Sequence, residues 1–195
     1  MRDVCRSSAP KGCFVAVVGP SGAGKDTIMD AARAALAADP KFHFVRRTIT
    51  RLQVPGTEYH DSLSEEAFSK AADDGAFALH WQAHGLSYGL PKSLNHEIAK
   101  GAVVIANVSR RVLGEIRSLY AVRCIVVISA KPEVLAERLT ARGRESREEI
   151  IKRLSREVYF DDGADDVLII DNSGDVTIAT DIFIKNLKNI YKSII

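Results

Sequence analysis

A glycine-rich stretch near the start of the chain, GPSGAGKDT, has the residue types and spacing of a phosphate-binding loop. Gly19, Gly24 and Lys25 match the pattern G-x-x-x-x-G-K-[ST], in which backbone N–H groups surround phosphate oxygens and the lysine reaches the β and γ phosphates. The loop needs a strand before it and a helix after it, and the sequence predicts both. We therefore predict that the whole stretch binds nucleotide phosphates: Gly19, Pro20, Ser21, Gly22, Ala23, Gly24, Lys25, Asp26 and Thr27.

The residue after the loop lysine departs from this pattern, because Asp26 stands where a Ser or Thr hydroxyl usually ligates Mg²⁺. A carboxylate can also ligate Mg²⁺, directly or through water, so Asp26 is the candidate metal ligand. A predicted neighbouring strand ends in Asn107, where enzymes with such a loop usually carry an acid that contacts the metal. We expect the charge on Asp26 to compensate for the amide of Asn107. The alternative is that Asp26 only stabilises the first helical turn, while Thr27 supplies the oxygen.

A second candidate region is the arginine-rich segment ERLTARGRESREEIIKRLSRE, residues 137–157, in which a glycine separates two helical patterns. Such a segment can close over a bound nucleotide, so we predict a lid over residues 142–153. Arg142 and Arg153 could bracket the phosphoryl group during transfer, since guanidinium groups stabilise the charge on its oxygens. The alternative is a solvated helix surface with Glu–Arg pairs, which describes Arg138, Arg147 and Arg156 at least as well.

A third group of cations follows the predicted second strand, in the stretch RRTITR with Arg46, Arg47 and Arg51. The carboxyl end of a strand in a parallel sheet faces the usual ligand crevice, so these arginines are candidates for binding a phosphorylated acceptor. Further candidate donors are His60, Tyr59, Tyr88 and Lys92. Each of these, taken alone, is more often a surface or half-buried residue. The single tryptophan, Trp81, is predicted to pack in the protein rather than to stack on a ligand.

The elements that must position these residues alternate between strands and helices. Short apolar, β-branched runs predict strands buried on both faces at residues 14–18, 42–46, 102–107, 124–129 and 167–171. Helices are predicted from Lys25 to the Asp39-Pro40 pair and over residues 109–120, 132–142, 148–159 and 176–194. This alternation predicts a doubly wound α/β fold with a mainly parallel sheet of about five strands.

Residues 51–91 interrupt the alternation, with a helix opened by Ser64 and short apolar segments at 77–81 and 86–88. We interpret this stretch as an acceptor-binding insertion over the ligand edge of the sheet. Residues 1–13 are predicted to form a flexible N-terminus, and residues 14–195 a single domain.

Composition argues against several classes of function. The 195 residues carry a formal net charge of +2, which is too mild for attraction of nucleic acid to the whole surface. Cys5, Cys13 and Cys124 are odd in number and lack metal-ligand spacing, which argues against a disulfide framework and a zinc site. No apolar run approaches the roughly 20 residues of a membrane helix. The sequence therefore predicts a cytoplasmic protein that binds neither nucleic acid nor membrane, with a homodimer left open.

These motifs together resemble the guanylate-kinase-like family of P-loop phosphotransferases over nearly the whole chain. TITR (48–51) is similar to the family's Thr-Thr-Arg, SYG (87–89) to its Tyr-Tyr-Gly, and RGRESREEIIKRL to its lid. The resemblance implies that Arg51 and Tyr88 contact the phosphate of the acceptor, and that Arg142 and Arg153 act from the lid. With Arg51 and Tyr88 we count Arg47, His60 and Asn107 as candidates for binding the acceptor. His60 falls near the position of another phosphate-binding tyrosine of the family.

The departures from the family concern its recognition of guanine. The glutamate of the family's Phe-x-Glu is Leu79 here, its partner aspartate is Asn107, and the serine after Tyr-Gly is Leu90. Because a site that hydrogen-bonds a base must present polar groups to it, we predict that guanine recognition is lost. A serine of guanylate kinases is replaced by Arg47, which adds positive charge at the acceptor.

The combination of GPSGAGKDT, TITR, FALHWQAHGLSYGLP and ANVSRR resembles a branch of the family that serves phosphonate degradation. That resemblance implies ATP as donor, Mg²⁺ as cofactor and transfer of the γ-phosphoryl group to the 1-phosphate of ribose 1,5-bisphosphate, which yields phosphoribosyl diphosphate. A phosphate oxygen is already largely ionised at neutral pH and needs no general base. The alternatives are a guanylate or other nucleoside monophosphate kinase and a non-catalytic binding module, although a module should have lost Lys25 and the lid arginines.

Overall fold

The main sheet of the protein consists of parallel strands around a central β1. The computed structural model describes residues 12–51, 59–141 and 164–195, and in them this sheet has five strands. They are β1 (Cys13–Val18), β2 (Phe42–Phe44), β7 (Val103–Asn107), β8 (Arg123–Ser129) and β9 (Val167–Asp171). Their order is β2-β7-β1-β8-β9, with Val15 of β1 opposite Ile105 of β7 and Cys124 of β8.

The apolar run of β1 follows from burial on both faces of this sheet. All six of its residues are buried, and successive side chains point to opposite faces. Val15 and Val17 belong to one cluster of core residues, whereas Phe14 and Ala16 belong to another.

Helices cover both of these faces. α1 (Lys25–Ala35), α5 (Pro132–Ala141) and α6 (Val176–Ile194) contribute Ile28, Leu135 and Phe183 to the cluster that contains Val15. α3 (Leu94–Ala99) and α4 (Leu113–Leu119) contribute Leu94 and Ile116 to the cluster that contains Phe14. A parallel sheet with helices on both faces is a doubly wound α/β fold.

A second, smaller sheet is inserted between β2 and β7. Its strands are β3 (Arg47–Ile49), β4 (His60–Ser62), β5 (Phe77–Ala83) and β6 (Leu86–Pro91), in the order β4-β3-β6-β5. β5 and β6 form an antiparallel hairpin whose turn, His84-Gly85, has positive φ angles of 51° and 73°. α2 (Glu65–Asp73) begins after Ser64, whose Oγ accepts a 3.1 Å hydrogen bond from the Ala67 N–H, as the sequence predicts for a cap.

The predicted α/β architecture is confirmed, since each of the five predicted strands overlaps an observed one. Two helices differ in detail. The helix predicted over 109–120 begins as a 3₁₀ turn at Arg110–Val112 before α4. α1 ends at Ala35, ahead of the Asp39-Pro40 pair, because Leu36 leaves the helical conformation with φ −107° and ψ 8°.

Part of the predicted organisation falls on residues that are not described. The predicted N-terminal tail up to residue 11, the helix at 148–159 and the lid at 142–153 lie outside the described residues. Within the described ranges, no helix combines the length and apolar character that crossing a membrane requires.

Candidate active site

The loop between β1 and α1 has the backbone of a phosphate-binding loop. Gly19, Gly22 and Gly24 have φ angles of 148°, 88° and 86°, which residues with a side chain rarely adopt. A Cβ atom at Gly19 would collide with the carbonyl oxygen of Ile128, and one at Gly24 with the side-chain amide of Asn172. Gly24 is also the N-cap of α1, so the loop leads directly to the positive end of that helix.

The side chain of Lys25 folds back over this loop. Its Nζ donates hydrogen bonds to the carbonyl oxygens of Gly19 at 2.8 Å and Pro20 at 3.0 Å. These bonds hold an ammonium group at the surface of a cleft where phosphate oxygens could replace the two carbonyls.

Asn172 supports the loop from the carboxyl end of β9. Its side chain is 1% exposed, and its Nδ2 donates a 2.8 Å hydrogen bond to the Ala23 carbonyl oxygen. Its backbone N–H donates to the Ser129 carbonyl oxygen at 2.7 Å, which fixes the residue against β8. The sequence analysis missed Asn172, although a polar residue directly after a buried strand was a signal for it.

Asp26 and Asn107 contact each other directly. The Nδ2 of Asn107 donates a 2.7 Å hydrogen bond to the Oδ1 of Asp26. The guanidinium of Arg47 lies 3.9 Å from the same oxygen. The Asp26 side chain is nevertheless 53% exposed, so the carboxylate faces solvent at the cleft. The structure thereby brings Asp26 and Asn107, which the sequence analysis linked, into one polar cluster.

An open cleft of about 430 Å³ lies along the loop and the second sheet. The loop contributes Gly19, Pro20, Ser21, Lys25 and Asp26 to its lining, and four predicted acceptor residues lie on other elements: Arg47, Arg51, Tyr88 and Asn107. Donor and acceptor candidates that are far apart in sequence thus share one cavity. Their roles as ligands stay predictions.

Other candidates are not brought into this lining. His60 is 1% exposed on β4, where its carbonyl oxygen accepts a 3.2 Å hydrogen bond from Arg46. Arg46 also pairs with Asp61 at 3.0 Å, so its guanidinium holds β4 in place. Tyr59 packs under the guanidinium of Arg33, 3.7 Å from the ring centre. Thr27 and Lys92 are exposed and are also absent from the described lining residues, while Arg142 and Arg153 lie outside the described residues.

Two of the three positions of the missing guanine readers are filled by core residues. Leu79 and Leu90 lie opposite each other on β5 and β6, with exposures of 1% and 0%. Trp81 belongs to the same core cluster and stacks on Tyr88, with ring centres 5.4 Å apart and planes 6° from parallel. Packing was the predicted role of Trp81, and its place in the core confirms this, although Trp81 also lines the cleft.

Ser109, Arg110 and Arg111 also line the cleft, and the sequence analysis quoted them within ANVSRR without giving them a role. They follow Asn107 at the carboxyl end of β7. Two consecutive arginines directly after a buried strand were the signal that could have identified them.

The cleft is strongly positive. Its described lining contains Lys25, Arg47, Arg51, Arg110 and Arg111 but only one carboxylate, Asp26. Among the described residues, no group of three or more His, Cys, Asp or Glu side chains could hold a metal ion. Mg²⁺ commonly binds through one or two carboxylates plus phosphates and water, so one exposed carboxylate beside a phosphate loop fits this ion.

The described cysteines take no part in this chemistry. Burial raises the pKa of Cys13 to about 12 and that of Cys124 to about 11. At neutral pH both are protonated thiols, which are poor nucleophiles and poor metal ligands.

Comparisons with known proteins show the family and the fold of the chain. The guanylate kinase family model matches residues 12–180. Ribose 1,5-bisphosphate phosphokinase PhnN of Brucella melitensis is 69% identical over 95% of this chain and 96% of its own length. The protein of the same name from Agrobacterium fabrum is 49% identical over 83% of this chain and 88% of its own. A crystal structure of guanylate kinase from Anaplasma phagocytophilum has a TM-score of 0.68 at 16% identity, covers 93% of this chain and 87% of its own, and shares the fold.

Proposed function

The chain belongs to the guanylate kinase family, and on that premise we propose that it is a ribose 1,5-bisphosphate phosphokinase. It transfers the γ-phosphoryl group of ATP to the 1-phosphate of ribose 1,5-bisphosphate, giving 5-phospho-α-D-ribose 1-diphosphate and ADP. The observation that supports this most directly is a phosphate loop and an arginine-lined acceptor region in one cleft, with buried leucines at the positions of the guanine readers.

The loop is the donor side of this site. Its glycines allow backbone N–H groups to surround the phosphates of ATP, and the end of α1 adds a positive potential. Lys25 leaves the carbonyls of Gly19 and Pro20 for the β and γ phosphates. Arg142 and Arg153, outside the described residues, close over the γ-phosphate in this proposal.

Asp26 would hold Mg²⁺, directly or through water. When bound, the ion neutralises charge that develops on the phosphate oxygens during transfer. Asn107 orients the Asp26 carboxylate through its 2.7 Å hydrogen bond, and Arg47 screens the same oxygen.

The acceptor side consists of Arg47, Arg51 and Tyr88. A bond forms between an oxygen of the 1-phosphate and the γ phosphorus, while the bond from that phosphorus to the β,γ-bridging oxygen breaks. The nucleophilic oxygen carries negative charge at neutral pH, so the site has to position and neutralise it rather than remove a proton. In this proposal His60 contributes only through β4, which lies beside the strand that carries Arg47.

The guanine of a nucleoside monophosphate would meet no hydrogen-bonding side chain at Leu79 and Leu90. Both leucines are buried against each other and present no hydrogen-bonding side-chain group. We place the enzyme in the cytoplasm and in phosphonate metabolism, and its substrates are small molecules rather than nucleic acid.

The deciding experiment compares acceptors with purified protein, ATP and Mg²⁺. Ribose 1,5-bisphosphate should give ADP and a 1-diphosphate identified by ³¹P NMR, whereas a reaction without acceptor measures ATP hydrolysis. Lys25→Ala prepared in the same way controls for contaminating kinases. Turnover of GMP with an equal or higher kcat/KM would overturn the proposal.

A further inference from the structure

The arginines that line the cleft come from two separate parts of the chain. Arg47 and Arg51 belong to β3 and the residues after it, whereas Arg110 and Arg111 belong to the 3₁₀ turn after β7. The first group lies at the reacting end of the site, because the guanidinium of Arg47 is 3.9 Å from Asp26 in the phosphate loop region. The second group has no part in the proposed transfer step.

The 3₁₀ turn holds its arginines in a defined place. Val108 and Val112 on either side are buried in the core, and the Val108 N–H donates a 3.0 Å hydrogen bond to the Val17 carbonyl oxygen of β1. The Oγ of Ser109 accepts a 3.3 Å hydrogen bond from the Arg111 N–H, which caps the turn. The arginines therefore project from a rigid support rather than from a flexible loop.

The acceptor in the proposed reaction carries two phosphate groups, unlike a nucleoside monophosphate. Each phosphate carries about −1.5 to −2 charges at neutral pH, so the substrate gains from two groups of cations rather than one. Ile49 and Trp81 also line this cleft, and their apolar side chains suit a ribose ring better than a phosphate.

We infer that Arg110 and Arg111, on the turn capped by Ser109, form a second phosphate subsite that binds the 5-phosphate of the acceptor. Arg47 and Arg51 bind the 1-phosphate that reacts. The enzyme then recognises a sugar bisphosphate by its two anionic ends, where a nucleoside monophosphate kinase recognises one phosphate and a base. This inference rests on the proposed function and names residues that would make the enzyme specific for a sugar bisphosphate.

The test uses acceptors that lack one of the two phosphate groups. Kinetics are measured for the wild type, Arg110→Ala and Arg111→Ala with ribose 1,5-bisphosphate and with α-D-ribose 1-phosphate, which lacks the 5-phosphate. Hydrogen bonds to charged groups contribute about 1.5–3 kcal/mol, so we expect a loss of roughly 10- to 100-fold in kcat/KM for the bisphosphate. Activity with ribose 1-phosphate, however low, should not change. Lys185→Ala, which removes a charge from the exposed surface of α6, is the matched control.

A binding measurement covers the case in which ribose 1-phosphate is not turned over. D-Ribose 5-phosphate, which carries only the second phosphate, is titrated calorimetrically into the wild type, Arg110→Ala, Arg111→Ala and Arg51→Ala. Its affinity should fall at least tenfold in one or both of the turn variants and stay near the wild-type value in Arg51→Ala. The reverse pattern, or equal losses in the turn variants and in Arg51→Ala, would overturn the second subsite. A wild type that prefers GMP would instead overturn the proposed function itself.

Discussion

The amide of Asn107 donates a 2.7 Å hydrogen bond to the Oδ1 of Asp26, which joins the carboxyl end of β7 to the first turn of α1. An aspartate at position 107 would place two carboxylates in this contact, and they would repel each other. The amide instead holds the single carboxylate in place while adding no charge. The two departures from the usual loop and strand end therefore occur as a contacting pair.

Replacement of Lys25 by alanine should abolish most of the activity without unfolding the protein. Its Nζ donates hydrogen bonds to two carbonyls of the same loop, whereas in the proposed reaction its charge acts on the transferring phosphate. We expect kcat to fall by about 10²- to 10³-fold, with a melting temperature close to that of the wild type. Retained activity at an unchanged melting temperature would contradict the loop assignment.

Substitutions of the acceptor arginines and of the lid arginines should change different kinetic constants. Arg47→Ala and Arg51→Ala should mainly raise KM for the bisphosphate, since both line the acceptor region of the cleft. Arg142→Ala and Arg153→Ala should mainly lower kcat, because in the proposed function these two arginines stabilise charge on the phosphoryl group in transfer. Steady-state kinetics with each substrate varied in turn checks this, and an inverted pattern would mean that the two groups are exchanged.

Asn172 should be needed for nucleotide binding although it is not expected to touch the nucleotide. Asn172→Leu removes the hydrogen bond to the Ala23 carbonyl, and a buried carbonyl without its partner costs about 1–3 kcal/mol. We expect a lower unfolding free energy in urea and a higher KM for ATP. Asn186→Ala is the matched control, because that amide donates a 2.8 Å bond to the Ile182 carbonyl on the exposed surface of α6. Equal effects of the two substitutions would exclude a role for Asn172 in shaping the loop.

Asp166 should make stability depend on pH. Its carboxylate accepts hydrogen bonds from Arg117 at 2.9 and 3.1 Å and from Arg123 at 2.8 Å, and these bonds, with Arg117 first, hold its pKa below the ordinary 3.8. Because the folded-state pKa is lowered, the stabilisation is present above the unfolded-state pKa and is lost as pH falls through the folded-state value.

Asp166→Asn should therefore lower the unfolding free energy at pH 7 and make progressively less difference as pH falls below about 3.8. Urea titrations at several pH values test this. Asp181→Asn, an exposed position on α6, is the control. A difference between Asp166→Asn and the wild type that does not change with pH would show that the two arginines do not stabilise the ionised carboxylate.

The parts of this fold that the sequence predicted are those set by local patterns. Apolar runs such as residues 14–18 identify strands buried on both faces, and their carboxyl ends place Arg47 beside the loop of Lys25. Contacts set by packing of distant segments could not be predicted. The bond from Asn172 to Ala23 spans 149 residues, and the burial of His60 depends on a strand of three residues, too short for a clear alternation.

Substitutions at positions 26 and 107 should be strongly coupled. Asp26→Asn keeps the shape of the side chain and removes its charge. It should therefore weaken the activation of kcat by Mg²⁺ far more than it weakens the binding of nucleotide without metal. Asp26→Ser restores the usual hydroxyl but leaves an amide at position 107, so this variant should stay impaired. Asn107→Asp alone places a second carboxylate against Asp26 and should also be impaired.

The double variant Asp26→Ser/Asn107→Asp has one hydroxyl and one acid, as in the usual loop and strand end, and should regain activity that both single variants lack. A double-mutant cycle on kcat and on the Mg²⁺ titration measures this coupling, which residues in direct contact should show. Additive losses would mean that the hydrogen bond has no functional consequence. If Asp26→Asn showed a wild-type Mg²⁺ titration, the charge of Asp26 would be dispensable for metal binding, although Asn107 holds the carboxylate in place. The metal contact would then belong to Thr27 or water, and Asp26 would be only an acid of the first helical turn.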